Sequence, residues 1–276
     1  MNERRLRLDG LVRRALWGSE RWEVSAHAAG PCVVTDGPYA GRTLGELFPR
    51  FPLLFKEIDA RERLSVQVHP DEAACRLTGG EPKSEMWCAL SDGTVYVGLR
   101  PGTDAAAVES AVLAGRLDEL LVRLDLKAGD AVFIPGGMVH AIGDGAHVYE
   151  VQQSSDTTFR LYDWGRVGAD GRPRELHVAK ALAAMDTSLP APKPLGTIDT
   201  PFFSFSQMHL SGESRLRCAA GEFAVVRSAD GDFSLDGERF LPGSCFLLPP
   251  ESDGLLRADG AWLLVTRFRL AGAEMP

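Results

Sequence analysis

The chain has 276 residues, 45% of them hydrophobic, which is enough for one large core or two smaller ones. Its net charge of −8 and pI near 5.3 argue against a nucleic-acid partner and against an anionic membrane surface. The five cysteines are scattered and form no C-x-x-C pair, and neither a signal peptide nor a membrane-spanning apolar run is evident. These features predict a soluble cytoplasmic protein with reduced thiols.

Short alternating segments bounded by Gly, Pro and Asp dominate the chain and predict a mainly β fold with short helical inserts. The strands predicted before residue 170 are Pro31–Thr35, Leu64–His69, Glu85–Leu90, Thr94–Gly98, Ala131–Pro135, His147–Gln153 and Phe159–Trp164. The predicted helices are Thr43–Phe48, Asp104–Leu121 (with Thr103 as its N-cap) and Leu176–Ala184. The strands predicted after residue 200 are Phe202–Leu210, Phe223–Ser228, Phe240–Leu248 and Ala261–Phe268.

A proline-rich stretch, Asp186–Thr197, separates the two groups of strands. Three prolines within it are typical of an extended linker, which we assign to residues 189–197. The sequence therefore predicts two domains, residues 1–188 and residues 198–276.

A weak internal repeat relates these two predicted domains. Leu126–Pro135 aligns with Phe240–Pro249, and each copy contains Gly, five residues and Pro. His140 follows the first copy, whereas Gly254 stands at the equivalent place in the second. The second domain is therefore predicted to be a related, smaller β domain without metal ligands.

Three short motifs of the first domain contain potential metal ligands. The segment GDAVFIPGGMVH predicts a strand, a tight glycine turn and then His140 at the start of the next strand, at the mouth of a β-barrel. In LSVQVHP, Gln67 and His69 lie two residues apart, so on a strand they share a face. KSEMW adds the carboxylate of Glu85. Two imidazoles, one carboxylate and one amide suit zinc, and would also accept manganese, cobalt, nickel or ferrous iron.

Each motif alone is a weak signal, because a histidine after Pro-Gly-Gly is usually a turn residue. Their occurrence together on barrel-type strands of one domain is what predicts a metal site. A divalent cation balanced by a single carboxylate keeps a net positive charge, so it remains a strong Lewis acid. An electrophilic role is therefore favoured.

The segments LLFKEIDARERLSVQVHPDE, KSEMW, PGGMVHAIG and EVQQSSDTTFRLYDWGR, in this order, resemble the type I mannose-6-phosphate isomerases (phosphomannose isomerases) in their compact bacterial form. The resemblance covers nearly all of residues 1–188, whereas the second domain matches only in architecture. It implies a cupin (jelly-roll) β-barrel for the first domain and a metal-free cupin-like fold for the second. One zinc ion per chain is implied, with ligands at Gln67, His69, Glu85 and His140.

The resemblance also implies the reaction, which interconverts mannose 6-phosphate and fructose 6-phosphate by proton transfer through a cis-enediol. It implies that Arg160 is the catalytic arginine and that Lys83 corresponds to the lysine two residues before the glutamate ligand. Arg160 would stabilise the enediolate or bind the phosphate, and Lys83 would contact substrate or transfer a proton. Glu150 and Asp156 are the carboxylates expected to orient Arg160 or to shuttle protons. The residues alone do not identify the general base.

Several alternatives stay open. Without the resemblance, Arg160 is read as an ion-pair partner of Asp156 or Glu150, and Lys83 as a solvated turn residue. A ferrous cupin dioxygenase and a non-catalytic sugar-phosphate-binding cupin are the alternative functions. The amide ligand and the two cations favour an anionic sugar over the first, and a sensor has no need for a Lewis acid. We expect a monomer whose partner is a small sugar phosphate, with no nucleic acid and no membrane.

Overall fold

The computed structural model describes residues 5–168 and 171–272. Its first strands are β1 Leu8–Asp9, β2 Leu11–Ala15, β3 Gly18–Ser25, β4 Val33–Val34, β5 Leu53–Ala60, β6 Val66–Val68, β7 Glu85–Ala89, β8 Gly93–Leu99, β9 Leu121–Leu126 and β10 Ala131–Ile134. They are followed by β11 His140–Ile142, β12 His147–Gln153, β13 Phe159–Tyr162, β14 Ile198–Asp199, β15 Ser204–Arg217, β16 Glu222–Asp230, β17 Phe233–Leu235, β18 Glu238–Phe240, β19 Cys245–Leu248 and β20 Asp253–Arg269. The α-helices are α1 Leu44–Leu47, α2 Glu72–Thr78, α3 Ala105–Leu113 and α4 Val178–Ala184.

The described residues form two compact units. The central unit contains residues 12–21 and 56–195, and the terminal unit contains residues 5–11, 22–55 and 196–272. The units meet along the chain at residues 195 and 196, inside the predicted linker, but the terminal unit also takes in two N-terminal segments. The predicted domain bounds, 1–188 and 198–276, stay a prediction, because compactness does not test which segment folds alone.

Two sheets contribute strands to the central unit, which includes residues 18–21 of β3 and 56–60 of β5. One has the strand order β13-β6-β11-β8-β9, and the other has the order β10-β7-β12-β5-β3-β2. Their inner faces share one apolar cluster, to which Trp87 and Val132 contribute from the second sheet and Val97 and Ile142 from the first. The outer face of the five-stranded sheet packs against residues of α2, α3 and α4. Side chains of its strands therefore alternate between the helix-covered face and the interior between the sheets.

The terminal unit is built on a sheet with the main strand order β14-β15-β20-β16-β19, to which β17 and β18 add. β15 and β20 are paired along almost their whole length. The core includes Phe233, Phe240 and Phe246, and Phe223 stacks on Phe268 with ring centroids 5.2 Å apart.

The predicted mainly β fold with short helical inserts is confirmed. The second predicted helix is wrong in its N-cap and its end. Asp104 caps it, accepting a hydrogen bond from the Ala107 amide at 2.8 Å, and it ends at Leu113 because Gly115 has a φ of 68°. The rest of the predicted helix forms a 3-10 turn, Leu117–Leu120, and β9. No helix of the described residues is long and apolar enough to cross a membrane.

Candidate metal centre

Strand pairing in the five-stranded sheet brings three of the predicted residues side by side. Gln67, at the centre of β6, lies opposite His140 of β11 on one side and opposite Arg160 of β13 on the other. Cross-strand neighbours share a face of the sheet. Val66 and Val68 pack into the helix-covered cluster, so the alternation of β6 directs Gln67 toward the interior.

The six-stranded sheet supplies the carboxylate from the other side of the interior. Glu85 is the first residue of β7, where it lies opposite Gln152 of β12, and Trp87 lies opposite Glu150 two positions further on. Glu85 is completely buried and Glu150 is almost so. Charged residues are rarely buried without partners, which makes this end of β7 a place where compensating charges are required.

The donor atoms of the four predicted ligands converge. His69 Nε2 lies 3.4 Å from Glu85 Oε2, His140 Nε2 lies 3.4 Å from Glu85 Oε1, and Gln67 Nε2 lies 3.3 Å from His140 Nε2. Separations of this size are those expected between neighbouring ligands of an ion with bonds of about 2.1 Å, the length of zinc–nitrogen and zinc–oxygen bonds. Turning the Gln67 amide over places its oxygen where the nitrogen lies, so this side chain can present an oxygen to the same centre. The donor set therefore fits a divalent cation.

Both imidazoles are held in the tautomer that metal binding needs. His69 Nδ1 donates to the Thr157 carbonyl at 2.9 Å, and His140 Nδ1 donates to the Met138 carbonyl at 2.8 Å. A carbonyl oxygen only accepts, so each Nδ1 carries the hydrogen and each Nε2 presents a lone pair to the centre. Burial lowers the pKa of His69 to about 3, with a further contribution from Lys83, and burial also lowers the pKa of His140. Both rings are therefore neutral at neutral pH.

Lys83 lies against the same donor atoms. Its buried Nζ is 2.7 Å from Glu85 Oε2 and 3.0 Å from His69 Nε2. Burial would raise the pKa of Glu85, but the Lys83 ammonium holds it well below its usual range. Neither Glu85 oxygen accepts a hydrogen bond of good geometry within the described part of the chain. Glu85 is therefore a buried, ionised carboxylate with unused coordinating capacity.

Glu150 belongs to a second buried group beside the centre. Its Oε2 accepts a hydrogen bond from Trp87 Nε1 at 2.9 Å, and its Oε1 lies 3.1 Å from Lys56 Nζ. Burial would lower the pKa of Lys56, but Glu150 and Glu20 raise it above its ordinary value. The Trp87 ring packs edge-on against His140, with centroids 5.5 Å apart. Sequence reasoning missed Lys56, although a lysine within the apolar run LLFKEI was a usable signal.

Arg160 and Asp156 have separate surroundings and do not contact each other as an ion pair in the described residues. The half-buried Arg160 donates from its backbone amide to His177 Nδ1 at 3.1 Å and from Nη1 to the Glu175 carbonyl at 2.8 Å. Burial, and then Arg174, lowers the pKa of Arg160. Asp156 is exposed, 3.8 Å from Arg13. In the described residues neither Asp156 nor Glu150 forms an ion pair with Arg160, so the expected orienting role has no contact to support it.

Comparison with known proteins finds similar sequences and similar structures. No model of a known protein family matches the chain. The mannose-6-phosphate isomerase of Streptococcus mutans serotype c is 34% identical over 259 residues, which cover 83% of this chain and 82% of that protein. The crystal structure of the mannose 6-phosphate isomerase from Bacillus subtilis matches with a TM-score of 0.83 at 27% identity, over 95% of this chain and 99% of that one.

A further solved structure, a mannose 6-phosphate isomerase bound with zinc and yttrium, shares the fold. Its TM-score is 0.68 at 17% identity, over 96% of this chain and 99% of that one. The identity to the Streptococcus mutans enzyme extends over most of both chains, which a shared fold alone does not produce. The chain is therefore an enzyme of the mannose-6-phosphate isomerase family, with the cupin fold of its relatives.

Proposed function

We propose that the chain interconverts mannose 6-phosphate and fructose 6-phosphate at the centre formed by Gln67, His69, Glu85 and His140. The family relationship supports the substrate pair. The observation that carries the proposal is the convergence of these side chains from two facing sheets, with neighbouring donor atoms 3.3–3.4 Å apart.

We propose that zinc is the ion held there. Two neutral imidazoles, one ionised carboxylate and one amide suit zinc, and the zinc of the related solved structure supports the same choice. The chemistry that such an ion supplies is Lewis acidity toward the substrate oxygen that gains negative charge. The chain's contribution is to keep both imidazoles neutral and the carboxylate ionised, with Nδ1 of each imidazole bound to a carbonyl.

The residues around the centre have distinct roles in this proposal. The proton moves between C1 and C2 of the open sugar through a cis-enediol, so charge builds up on the neighbouring oxygen. Arg160, in register with Gln67, places a permanent positive charge on the inward side of β13 for the enediolate or the phosphate. Lys83 contacts substrate or transfers the proton, since its Nζ lies beside the donor atoms. Glu150 keeps Trp87 in place, and Asp156 has no role in the proposal.

The decisive experiment follows the conversion of mannose 6-phosphate to fructose 6-phosphate by the purified protein. Three samples are compared: protein with zinc, protein stripped by a chelator, and stripped protein to which zinc is returned. We expect turnover in the first and third samples only. Turnover by protein shown by elemental analysis to hold no metal would remove the ion from the mechanism. Oxygen uptake without sugar conversion would indicate the dioxygenase instead.

The role of Arg160 is tested separately with Arg160→Ala. We expect kcat to fall on the order of 10²–10³-fold, as when one stabilising donor is removed from a developing charge, while zinc content stays unchanged. Arg267→Ala is the matched control, because Arg267 also donates to a backbone carbonyl, that of Arg217 at 2.8 Å, in the terminal unit. Equal rates in Arg160→Ala and in the control would leave Arg160 with a structural role only.

A further inference from the structure

The two histidine ligands are oriented in different ways. His140 donates to the carbonyl of Met138, two residues earlier in its own turn. His69 donates to the carbonyl of Thr157, which is 88 residues away along the chain. The geometry of His140 is therefore fixed locally, whereas the geometry of His69 depends on how the segment around Thr157 is held.

A closed set of side-chain hydrogen bonds holds that segment. The Thr157 amide donates to Ser155 Oγ at 3.1 Å, Ser155 Oγ donates to the Glu81 carbonyl at 3.1 Å, and the Glu81 amide donates to Thr157 Oγ1 at 2.9 Å. Ser155 is completely buried. These bonds tie the turn after β12 to the chain just before Lys83, and they fix the direction of the Thr157 carbonyl.

Two neighbours complete the arrangement. The buried Gln152 side chain donates from Nε2 to the carbonyls of Ser155, at 2.7 Å, and Gln153, at 2.9 Å. On the other side, Gly80 has a φ of 88°, and a Cβ added there would lie 2.6 Å from Thr157 Cγ2. A side chain at position 80 would therefore be strained and would push Thr157 away.

We propose that Gln152, Ser155, Thr157 and Gly80 are positioning residues for His69, acting through the Thr157 carbonyl that sets its tautomer and ring orientation. This inference rests on the proposed metal centre and assigns to the segment SSDT, residues 154–157, a role outside the chemistry itself. Removing the partners that orient a metal-bound histidine typically weakens metal binding about 10–100-fold.

The test measures zinc affinity by competition with a chromophoric chelator, at a temperature where every variant is folded by circular dichroism. Ser155→Ala removes two of the three bonds and Thr157→Val removes the third, and neither changes the Thr157 carbonyl itself. We expect each variant to bind zinc about 10–100-fold more weakly than the unchanged protein. Raising free zinc above the new dissociation constant should restore most of the isomerase rate, because the positioning residues do not touch the sugar.

Ser252→Ala is the matched control. Ser252 is a buried serine of the terminal unit whose Oγ donates to the Pro249 carbonyl at 2.7 Å, so it should lose similar stability with unchanged zinc affinity. Equal affinities in all three variants and the unchanged protein would overturn this inference alone. An equal loss in Ser252→Ala would also overturn it, since affinity would then follow overall stability. Absence of zinc binding in the unchanged protein would overturn the proposed metal centre as well.

Discussion

Each compact unit contains a strand that follows the pattern Gly, five residues, Pro: β10 in the central unit and β19 in the terminal unit. Both strands pair in antiparallel fashion, β10 with β7 and β19 with β16. In β10 the residue just before the proline, Ile134, lies opposite Glu85. In β19 the equivalent residue, Leu248, lies opposite Ala224. Five residues after the proline the central unit has His140, whereas the terminal unit has Gly254.

Because the terminal unit has Gly254 where the central unit has His140, this strand and the turn after it (the strand-and-turn frame) fold with or without metal-ligating side chains. In the terminal unit the corresponding interior is apolar, with Ala224 and Val226 inside the core cluster. Both units bury an ion pair, Lys56–Glu150 in one and Arg227–Glu23 in the other. A buried charge pair is therefore not what distinguishes the proposed metal centre. What distinguishes it is the convergence of unprotonated donor atoms on one point.

The largest effect is expected when the carboxylate of the centre is neutralised. Glu85→Gln keeps the size of the side chain but removes the only carboxylate among the proposed ligands, so zinc should be lost and kcat should fall on the order of 10³-fold. Zinc content by elemental analysis and the isomerase rate measure this. Glu23→Gln, a second buried carboxylate, should keep both values near those of the unchanged protein. Retained zinc in Glu85→Gln would contradict the assignment of the ligands.

The two buried ion pairs should affect stability equally but the isomerase rate differently. Lys56→Met and Arg227→Met each remove the cation that faces a buried carboxylate, which should lower the free energy of unfolding by about 3–5 kcal/mol. Only Lys56→Met should also lower kcat in the folded protein, since Glu150 then holds Trp87, and through it His140, less firmly. Urea denaturation and the rate below the unfolding transition measure the two effects. Equal rate losses in both variants would remove the distinction between the pairs.

Acidification should weaken the metal-free protein through the centre. The pKa of His69 is about 3 in the folded chain, and an unfolded histidine has a pKa of about 6.5. Between these values the unfolded state binds the extra proton, so this stability is present above about pH 6.5 and is lost as the pH falls toward 3. The slope is up to about 1.4 kcal/mol per pH unit for His69.

Urea midpoints of chelator-treated protein from pH 7 to pH 4.5 measure this slope. His69→Gln should reduce the slope and leave the share of His140, whose pKa is also lowered by burial. His209→Gln, at an exposed position of the terminal unit, should leave the slope as steep as in the unchanged protein. A slope in His69→Gln equal to that of the unchanged protein would assign the acid sensitivity to other groups.

The sequence predicted the parts of the centre that depend on local alternation. Gln67 faces inward because Val66 and Val68 pack against the helices, as the period of two residues requires. The three motifs supplied the four candidate ligands, the family resemblance implied the same set, and the site roles of individual residues stay predictions. The strand predicted over Phe240–Leu248 is divided into β18 and β19 by a turn at Gly243, whose φ is 80°.

The parts that escaped prediction depend on pairing between distant strands. In the sequence, Lys56 is a single charge within an apolar strand. Its partner, Glu150, lies on β12, and only the pairing of distant strands brings the two side chains together. The two carboxylates expected to orient Arg160 have other surroundings, because Asp156 is exposed and Glu150 pairs with Lys56. The dependence of His69 on Thr157 is equally non-local. Periodicity specifies which face a side chain takes, but not which strand faces it.

The smallest expected effect concerns Gly254, the counterpart of His140. A Cβ at this buried position would lie 2.4 Å from Leu235 Cδ1, so Gly254→Ala should cost about 1–2 kcal/mol of unfolding free energy as Leu235 shifts. Gly196→Ala, where an added Cβ meets nothing within 4 Å, is the control and should be near neutral. Gly254→His should be destabilised further and should bind no zinc, because Ala224, which takes the place of Glu85 opposite the residue before the proline, offers no carboxylate. Zinc binding by Gly254→His would mean that the frame alone, rather than the converging donors, makes the site.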